Sequence, residues 1–333
     1  MKTDSIYEIC NDNTIQTSWV PGIMEYVFGV VGNFIAILLL WINRREHQWK
    51  SFYKLYTGLA ITDFLGIFLV YPFVAVRYAT DFKWCYSKPL CQFVSFIFVD
   101  AHISSALLIC AMSVDRYVSL AFSERFNTGN EGRLYTKVLC GIWFGASFFS
   151  WLHLIGVGSS EVFYPGSWCY FNFVGSDTGN RVYSFIYSIL GAIIILVTIA
   201  SNCLILWRTC RDPIEVGILL DLRRVPGFND AHVLLFIAVM SLVFFVLWSP
   251  LLVDVFLHAI GTRTANKEPE LWLLRAAVFN TILDPWLYIV LRRESLRKIA
   301  ELYQKYCRSQ YRSVINKESE RESLIDNRSR EES

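Results

Sequence analysis

The stretch LLRAAVFNTILDPWLY, residues 273–288, is an apolar run with a guanidinium near its start and an acid followed by proline near its end. Arg275 has Leu271, Trp272, Leu273 and Leu274 on one side and Ala276, Ala277, Val278 and Phe279 on the other. Arginine keeps its proton at any accessible pH, so in such surroundings it needs an anion. That anion is either another part of the chain or something the chain binds, and the surrounding sequence narrows the choice.

The run is one of seven. Apolar stretches long enough to cross a bilayer, which takes about 20 helical residues, fall at 20–42, 53–78, 92–122, 135–157, 182–208, 231–260 and 269–291. The 333 residues are 54% hydrophobic and 16% aromatic but only 18% charged, where a soluble domain carries about a quarter. The net charge of +2 says nothing about nucleic acid, and no basic stripe interleaved with aromatics appears, so no nucleic-acid partner is expected. The fold class expected is therefore an all-α membrane protein, a seven-transmembrane-helix bundle over 20–291. The segment RRESLRKIAELYQKYC, 292–307, places Leu296, Ile299, Ala300, Leu302 and Tyr303 at helical spacing among basic residues. It reads as a short amphipathic eighth helix on the membrane surface, with Cys307 a palmitoylation candidate. Residues 308–333 are charged and Ser-rich and read as a disordered cytoplasmic tail.

Connector charge sets the direction. Residues 43–54, 123–137, 208–230 and 292–333 together carry 22 Lys and Arg, and the opposite set carries 7. By the positive-inside rule the first set is cytoplasmic and residues 1–19 are extracellular, which suits a multi-pass protein of the plasma membrane. MKTDSIYEIC has no apolar core of a cleavable leader, so insertion is expected to rely on the first span. Cys110, Cys140 and Cys203 lie in apolar runs and read as small hydrophobes. Cys10, Cys85, Cys91 and Cys169 lie in or beside polar stretches, where oxidation is open to them if those stretches are extracellular. A Cys10–Cys85 bridge rests only on their shared side of the membrane.

Hydrocarbon supplies no partner for Asn33, Asp63, Ser105, Asn280 and Asp284, all of which fall mid-span. Converging, they form either a neutral hydrogen-bonded cluster or a site for a small cation and water. In MSVDRYVSL, Asp115 adjoins Arg116, and on its own that pair reads as a surface ion pair worth little.

These features occur together. Gly32-Asn33, LAITD (59–63), Asp115-Arg116-Tyr117, WSP (248–250), DPWLY (284–288) and a Cys91 placed 25 residues before Arg116 make a joint pattern across all seven spans. That pattern resembles the rhodopsin-like (class A) G-protein-coupled receptors. The resemblance implies that Asp115 and Arg116 lock the resting state and that Trp248 and Pro250 form the bend of the sixth helix. It makes Asp284, Pro285 and Tyr288 the switch of the seventh. It further implies a Cys91–Cys169 disulfide and a sodium pocket of Asp63, Ser105, Asn280 and Asp284. Most of the family has Asn where Asp284 stands, which puts cation affinity in question. Heterotrimeric G protein and arrestin are the implied cytoplasmic partners, and no catalytic activity is implied.

Single positions exclude some ligands. The seventh span holds no Lys for a retinal Schiff base, and Phe98 stands where amine receptors keep an Asp, 18 residues before Arg116. Arg275 lies six residues into its span, so about 9 Å deep at 1.5 Å per residue. A planar fork of donors at that depth suits a carboxylate bound bidentately. GVGSSEVFYPGSWCYF (156–171) resembles the second extracellular loop of prostanoid receptors, and LRAAVFNTILDPWLY their seventh helix. With FGVVGN, GLAITDFLG and LLICAMSVDRY, the likeness runs over 20–305 and is strongest to the fourth-subtype prostaglandin E receptors. It implies that Tyr78, Ser167 and Arg275 hold the carboxylate of a lipid acid, prostaglandin E foremost, beneath Trp168. It also implies signalling through a stimulatory G protein that raises cyclic AMP. Ser104 is taken, with His102, Val278 and Asp254, as lining the pocket.

Asp100, His102, Val278 and Asp254 depart from that family's residues. Asp254 offers an internal alternative: four residues past Pro250, it is an acid for Arg275 that needs no ligand, as sole partner or as one that a ligand displaces. Asp100 and His102 are two apart and face different ways; interhelical hydrogen bonding is the plain reading of each. A receptor for another anionic lipid, such as a leukotriene or hydroxy fatty acid, is the nearest alternative function. A transporter or proton channel would show inverted repeats or broken helices in matching halves. A membrane enzyme would show metal spacing among His102, His153 and His258, or a Ser-His-Asp set. Neither pattern is present.

Overall fold

A backbone in hydrocarbon has no water to bond, so each crossing segment closes its own hydrogen bonds as a helix. The computed structural model describes residues 8–9, 18–42, 51–121, 131–211 and 230–291. Cys10, the expected helix at 292–307 with Cys307, and the tail at 308–333 lie outside the described residues. Among the described residues, seven helices are long and apolar enough to cross a membrane. They are α1 Val20–Ile42, α2 Ser51–Ala79, α3 Lys88–Ala121, α4 Glu131–Trp151, α5 Thr178–Arg211, α6 Asp230–Ala259 and α7 Lys267–Leu291.

Three starts come four residues earlier than hydropathy alone places them, at Lys88, Glu131 and Thr178 instead of 92, 135 and 182. In α3 the extra turn opens with Pro89, whose missing N–H is no loss in a first turn. In α5 the preceding Asp177 is the cap, its Oδ2 accepting the Asn180 N–H at 3.0 Å. That bond holds the Asp177 carboxyl below its ordinary range.

The bundle is apolar outside and polar within. Phe144, Leu196, Trp272 and Leu242 project outward, 75%, 65%, 64% and 62% exposed, which fits acyl chains and not water. Asn33, Asp63, Ser105, Asn280 and Asp284 are buried inside. α3 is the central helix; its apolar window is 61% buried against 22% for α4. Small residues let the helices close on one another. A Cβ on Gly66 would lie 2.7 Å from that of Ala101, and one on Gly32 2.8 Å from the Trp286 indole nitrogen.

One end of the bundle carries the strands. After α4 a π-helical turn, His153–Val157, contains Gly156 at φ +102° and leads into an antiparallel hairpin. Its strands, β3 (Ser160–Phe163) and β4 (Trp168–Phe171), pair Val162 with Cys169 and Phe163 with Trp168. The Cys91–Cys169 disulfide ties this hairpin to the start of α3. A second pair of strands, β1 (Glu8–Ile9) and β2 (Tyr86–Ser87), aligns Glu8 with Ser87 and Ile9 with Tyr86. Cys85, next along, is disulfide-bonded. Contacts divide the chain after Tyr288; of the remainder only Ile289–Leu291, the end of α7, is described.

Candidate functional site

The hairpin is a lid set into the bundle. All four residues of β4, Trp168 to Phe171, are buried, and Cys169 fixes their depth. Arg77 bolts the turn in place. This guanidinium is fully buried near the end of α2 and donates from Nε to the Gly166 carbonyl at 2.6 Å. Its Nη1 donates to the carbonyls of Phe82, at 3.0 Å, and Trp84. Tyr86 completes the attachment, its hydroxyl donating to the Ser167 carbonyl at 3.0 Å.

Held so, the lid presents polar atoms that have no partner among the described residues. Ser167 is fully buried and its Oγ is unpaired, as is the buried indole nitrogen of Trp168. The Trp168 ring meets Tyr71 of α2 and Phe98 of α3 edge-on, at 5.2 and 5.6 Å. Arg275 of α7 is 7% exposed, and its Nε and Nη2 are buried without a hydrogen-bond acceptor. Its Cζ lies 5.6 Å from the centroid of the Trp272 ring. A buried guanidinium with free N–H groups is costly until an anion meets it.

Asp254 is not that anion. Its carboxylate pairs with Arg263 at 2.6 Å and lies 3.9 Å from His258, which in turn lies 3.5 Å from Glu270. The internal Asp254–Arg275 pair is therefore replaced by an Asp254–Arg263 pair. The reason is rotational: Glu270 faces this cluster, and Arg275, five residues on, points about 140° away around α7. Glu25 of α1 is half-buried and makes no ion pair within 4.0 Å with Arg275. Glu25 Oε2 accepts the Tyr71 hydroxyl at 2.8 Å. Tyr78, half-buried two turns along α2 from Tyr71, packs edge-on against Phe82 at 5.1 Å.

Between α2, α3 and α7 lies a small cavity of about 20 Å³, lined by Asp63, Tyr71, Phe98, His102 and Val278 among others. It has room for about one water. His102 and Val278 thus sit on the cavity; Ser104, buried with an unpaired hydroxyl, and Asp254 are not in its lining. His102 Nδ1 lies 3.5 Å from the Tyr170 hydroxyl, and Asp100 accepts from Ser147 of α4 at 2.8 Å. Both make interhelical or loop contacts. A larger cleft of about 490 Å³ opens between α1 and α7, lined by Glu25, Phe28, Phe279 and Trp286.

Deeper in the bundle, Ser105 donates to Asp63 Oδ1 at 2.5 Å and Asn280 to Asp284 Oδ2 at 3.2 Å. Asn33 donates to the Thr281 carbonyl at 3.1 Å, and Tyr56 to that of Asp284 at 3.2 Å. Asp63 Oδ2, Asn280 Oδ1 and Asp284 Oδ1 remain unpaired and buried. An all-oxygen set with two acids suits a hard cation and not a transition metal.

At the end of the bundle away from the lid, Arg116 is clasped by its neighbour. Its Nη2 and Nε donate to Asp115 Oδ2 at 2.6 and 3.0 Å, and Tyr135 of α4 donates to Asp115 Oδ1. Asn202 of α5 donates to Ser113 of α3 at 3.1 Å and to Ser241 of α6 at 3.2 Å, joining three helices. Trp248, two residues before Pro250, stacks on Phe244 at 5.0 Å, and Tyr288 stacks on Tyr56 at 4.6 Å.

Sequence comparison places the 7 transmembrane receptor (rhodopsin family) model over residues 32–288. The human prostaglandin E2 receptor EP4 subtype is 32% identical, covering 85% of this chain and 66% of the relative, so the chain spans just under two thirds of that protein. The human thromboxane A2 receptor is 30% identical, covering 82% of this chain and 83% of the relative. The crystal structure of squid rhodopsin superposes with a TM-score of 0.73 at 18% identity, over 90% of this chain and 91% of that one, a likeness of fold.

Proposed function

The chain belongs to the rhodopsin family of seven-transmembrane receptors, and within it to the prostanoid receptors; on that premise we propose that it binds a prostanoid acid, prostaglandin E foremost, and signals to a heterotrimeric G protein. Membership of a receptor family leaves no role for an enzyme and sets aside the transporter reading. The observation that carries the ligand proposal is Arg275, buried with two unpaired nitrogens at the end of the bundle that carries the lid, whose Ser167 and Trp168 also hold unpaired polar atoms. A carboxylate on Arg275 neutralises the charge and accepts the fork of donors; Ser167 and Tyr78 supply hydroxyls, and Trp168 covers the site. The lid end faces the outside of the plasma membrane, as the connector charges imply. The small cavity widens as the ligand enters, since its walls are side chains on separate helices.

Signalling is a shift between two packings. Bound ligand favours the arrangement in which α6 swings at Pro250, Asn202 releases Ser241, and Arg116 leaves Asp115 to meet the G protein, with arrestin a later partner on the same side. A stimulatory G protein is the proposed transducer. Residues Asp63, Ser105, Asn280 and Asp284 fit a sodium ion, which would hold α2, α3 and α7 in the resting packing. The thromboxane A2 receptor, nearly as similar as the EP4 relative, favours a second reading in which the acid is another prostanoid. Leukotrienes and hydroxy fatty acids satisfy the same anchor. The test is the cyclic-AMP response of transfected cells to a panel of these acids. A response led by prostaglandin E2 is expected; silence to every prostanoid, at good surface expression, would exclude the proposal.

A further inference from the structure

Glu25 interrupts the apolar run VPGIMEYVFGVVGN, and an acid at that position needs partners that hydrocarbon does not supply. Tyr71 is one, donating its hydroxyl to Oε2 at 2.8 Å. Among the described residues no donor reaches Oε1, and no cation lies within 4.0 Å of the carboxylate. Glu25 instead borders the cleft of about 490 Å³ between α1 and α7, a volume in the range of small-ligand sites. The other walls include Phe28, Phe279, Ile282, Leu283 and Trp286, and Glu25 is the one charged residue in the lining. Phe28 and Phe279 are exposed on the outer face of the bundle, so the cleft opens towards lipid.

We propose that this cleft binds a membrane phospholipid with a primary ammonium head, the ethanolamine class, and that Glu25 is its anchor. Charge complementarity selects the head. A primary ammonium brings three N–H donors and a full positive charge, so it pairs with Oε1 while Tyr71 keeps Oε2. A choline head has the charge but no N–H to donate. A sterol hydroxyl has the donor but not the charge, and the ammonium's charge-assisted bond is the stronger. The apolar walls select a lipid over a soluble amine, since an acyl chain lies against Phe28, Phe279 and Leu283. Depth agrees: α1 starts at Val20, so Glu25 is about 8 Å along it, a short descent for a head group. A ligand's carboxylate is repelled by Glu25, so this site and the one at Arg275 take opposite charges.

The test is native mass spectrometry of the purified full chain titrated with dioleoyl phosphatidylethanolamine, dioleoyl phosphatidylcholine and cholesterol. The parent is expected to bind the ethanolamine lipid about tenfold more tightly than the choline lipid, as one hydrogen bond between charged groups implies. Glu25→Gln should remove that preference by weakening the ethanolamine lipid alone. Leu283→Trp fills the cleft while keeping the acid, and should weaken both phospholipids. Equal binding of the two by the parent, a preference that survives Glu25→Gln, or undiminished binding to Leu283→Trp would each overturn the proposal. Cholesterol displacing both phospholipids would overturn it too, by making a sterol the occupant. The comparison within the parent and the Leu283→Trp arm decide the matter even where Glu25→Gln does not fold.

Discussion

Arg77 and Arg275 are two buried guanidiniums near one end of the bundle, and they differ in what satisfies them. Arg77 donates to three backbone carbonyls and so fixes the lid. Arg275 donates from neither Nε nor Nη2 to any group among the described residues. One is a strap and the other is a socket. Arg77→Met should therefore strand the carbonyls of Gly166, Phe82 and Trp84 and cost about 1–3 kcal/mol, read as a lower melting temperature and faster ligand release. Arg77→Lys should recover part of both, because an ammonium keeps the charge but cannot fork between Gly166 and the 82–84 segment. A melting temperature unmoved by Arg77→Met would mean that the disulfide alone positions the lid.

The helices meet at polar nodes that each span a helix interface, and these set how the bundle switches. Asp115 is held by Arg116 on α3 and by Tyr135 on α4. Asp115→Asn weakens the first contact, so ligand-free G-protein activation should rise, and Tyr135→Phe should move it the same way by less. An unchanged baseline at equal surface expression would contradict the lock. Asn202→Ala removes donors to both Ser113 and Ser241 and should likewise raise the baseline, since the resting packing of α3, α5 and α6 loses its shared group. In the middle of the bundle, replacing potassium by sodium in the assay should lower agonist affinity, and Asp63→Asn should abolish that difference. Equal binding in both salts would argue for a purely hydrogen-bonded cluster.

For the molecule as a whole, the fold was legible because hydrocarbon imposes one demand, seven apolar runs of sufficient length, and composition reports it directly. Helix starts at Lys88 and Thr178 were missed because polar first turns and caps carry no hydropathy signal. The site was legible where a residue broke the apolar pattern, as Arg275 and Asp63 do. It was misread where the partner depended on rotation about a helix: Asp254 has the right depth for Arg275 but faces Arg263. Glu25 breaks the first span as plainly as Arg275 breaks the seventh, and the same rule would have found it. Arg77 falls at the end of the second span, and nothing in the sequence shows that its acceptors are backbone carbonyls. Asn202 and Tyr135 pair with groups on other helices, which spacing within one helix cannot reveal. The central claim, that Arg275 is the socket for a ligand's carboxylate, is tested most directly by measuring prostaglandin E2 and its methyl ester on the parent, Arg275→Lys and Arg275→Ala. Loss of a desolvated charge partner costs about 2–5 kcal/mol, so Arg275→Ala should bind the acid roughly 30- to several-thousand-fold more weakly, the ester much less so, and Arg275→Lys between. Arg275→Ala binding the acid as tightly as the parent, at equal surface expression, would contradict the claim.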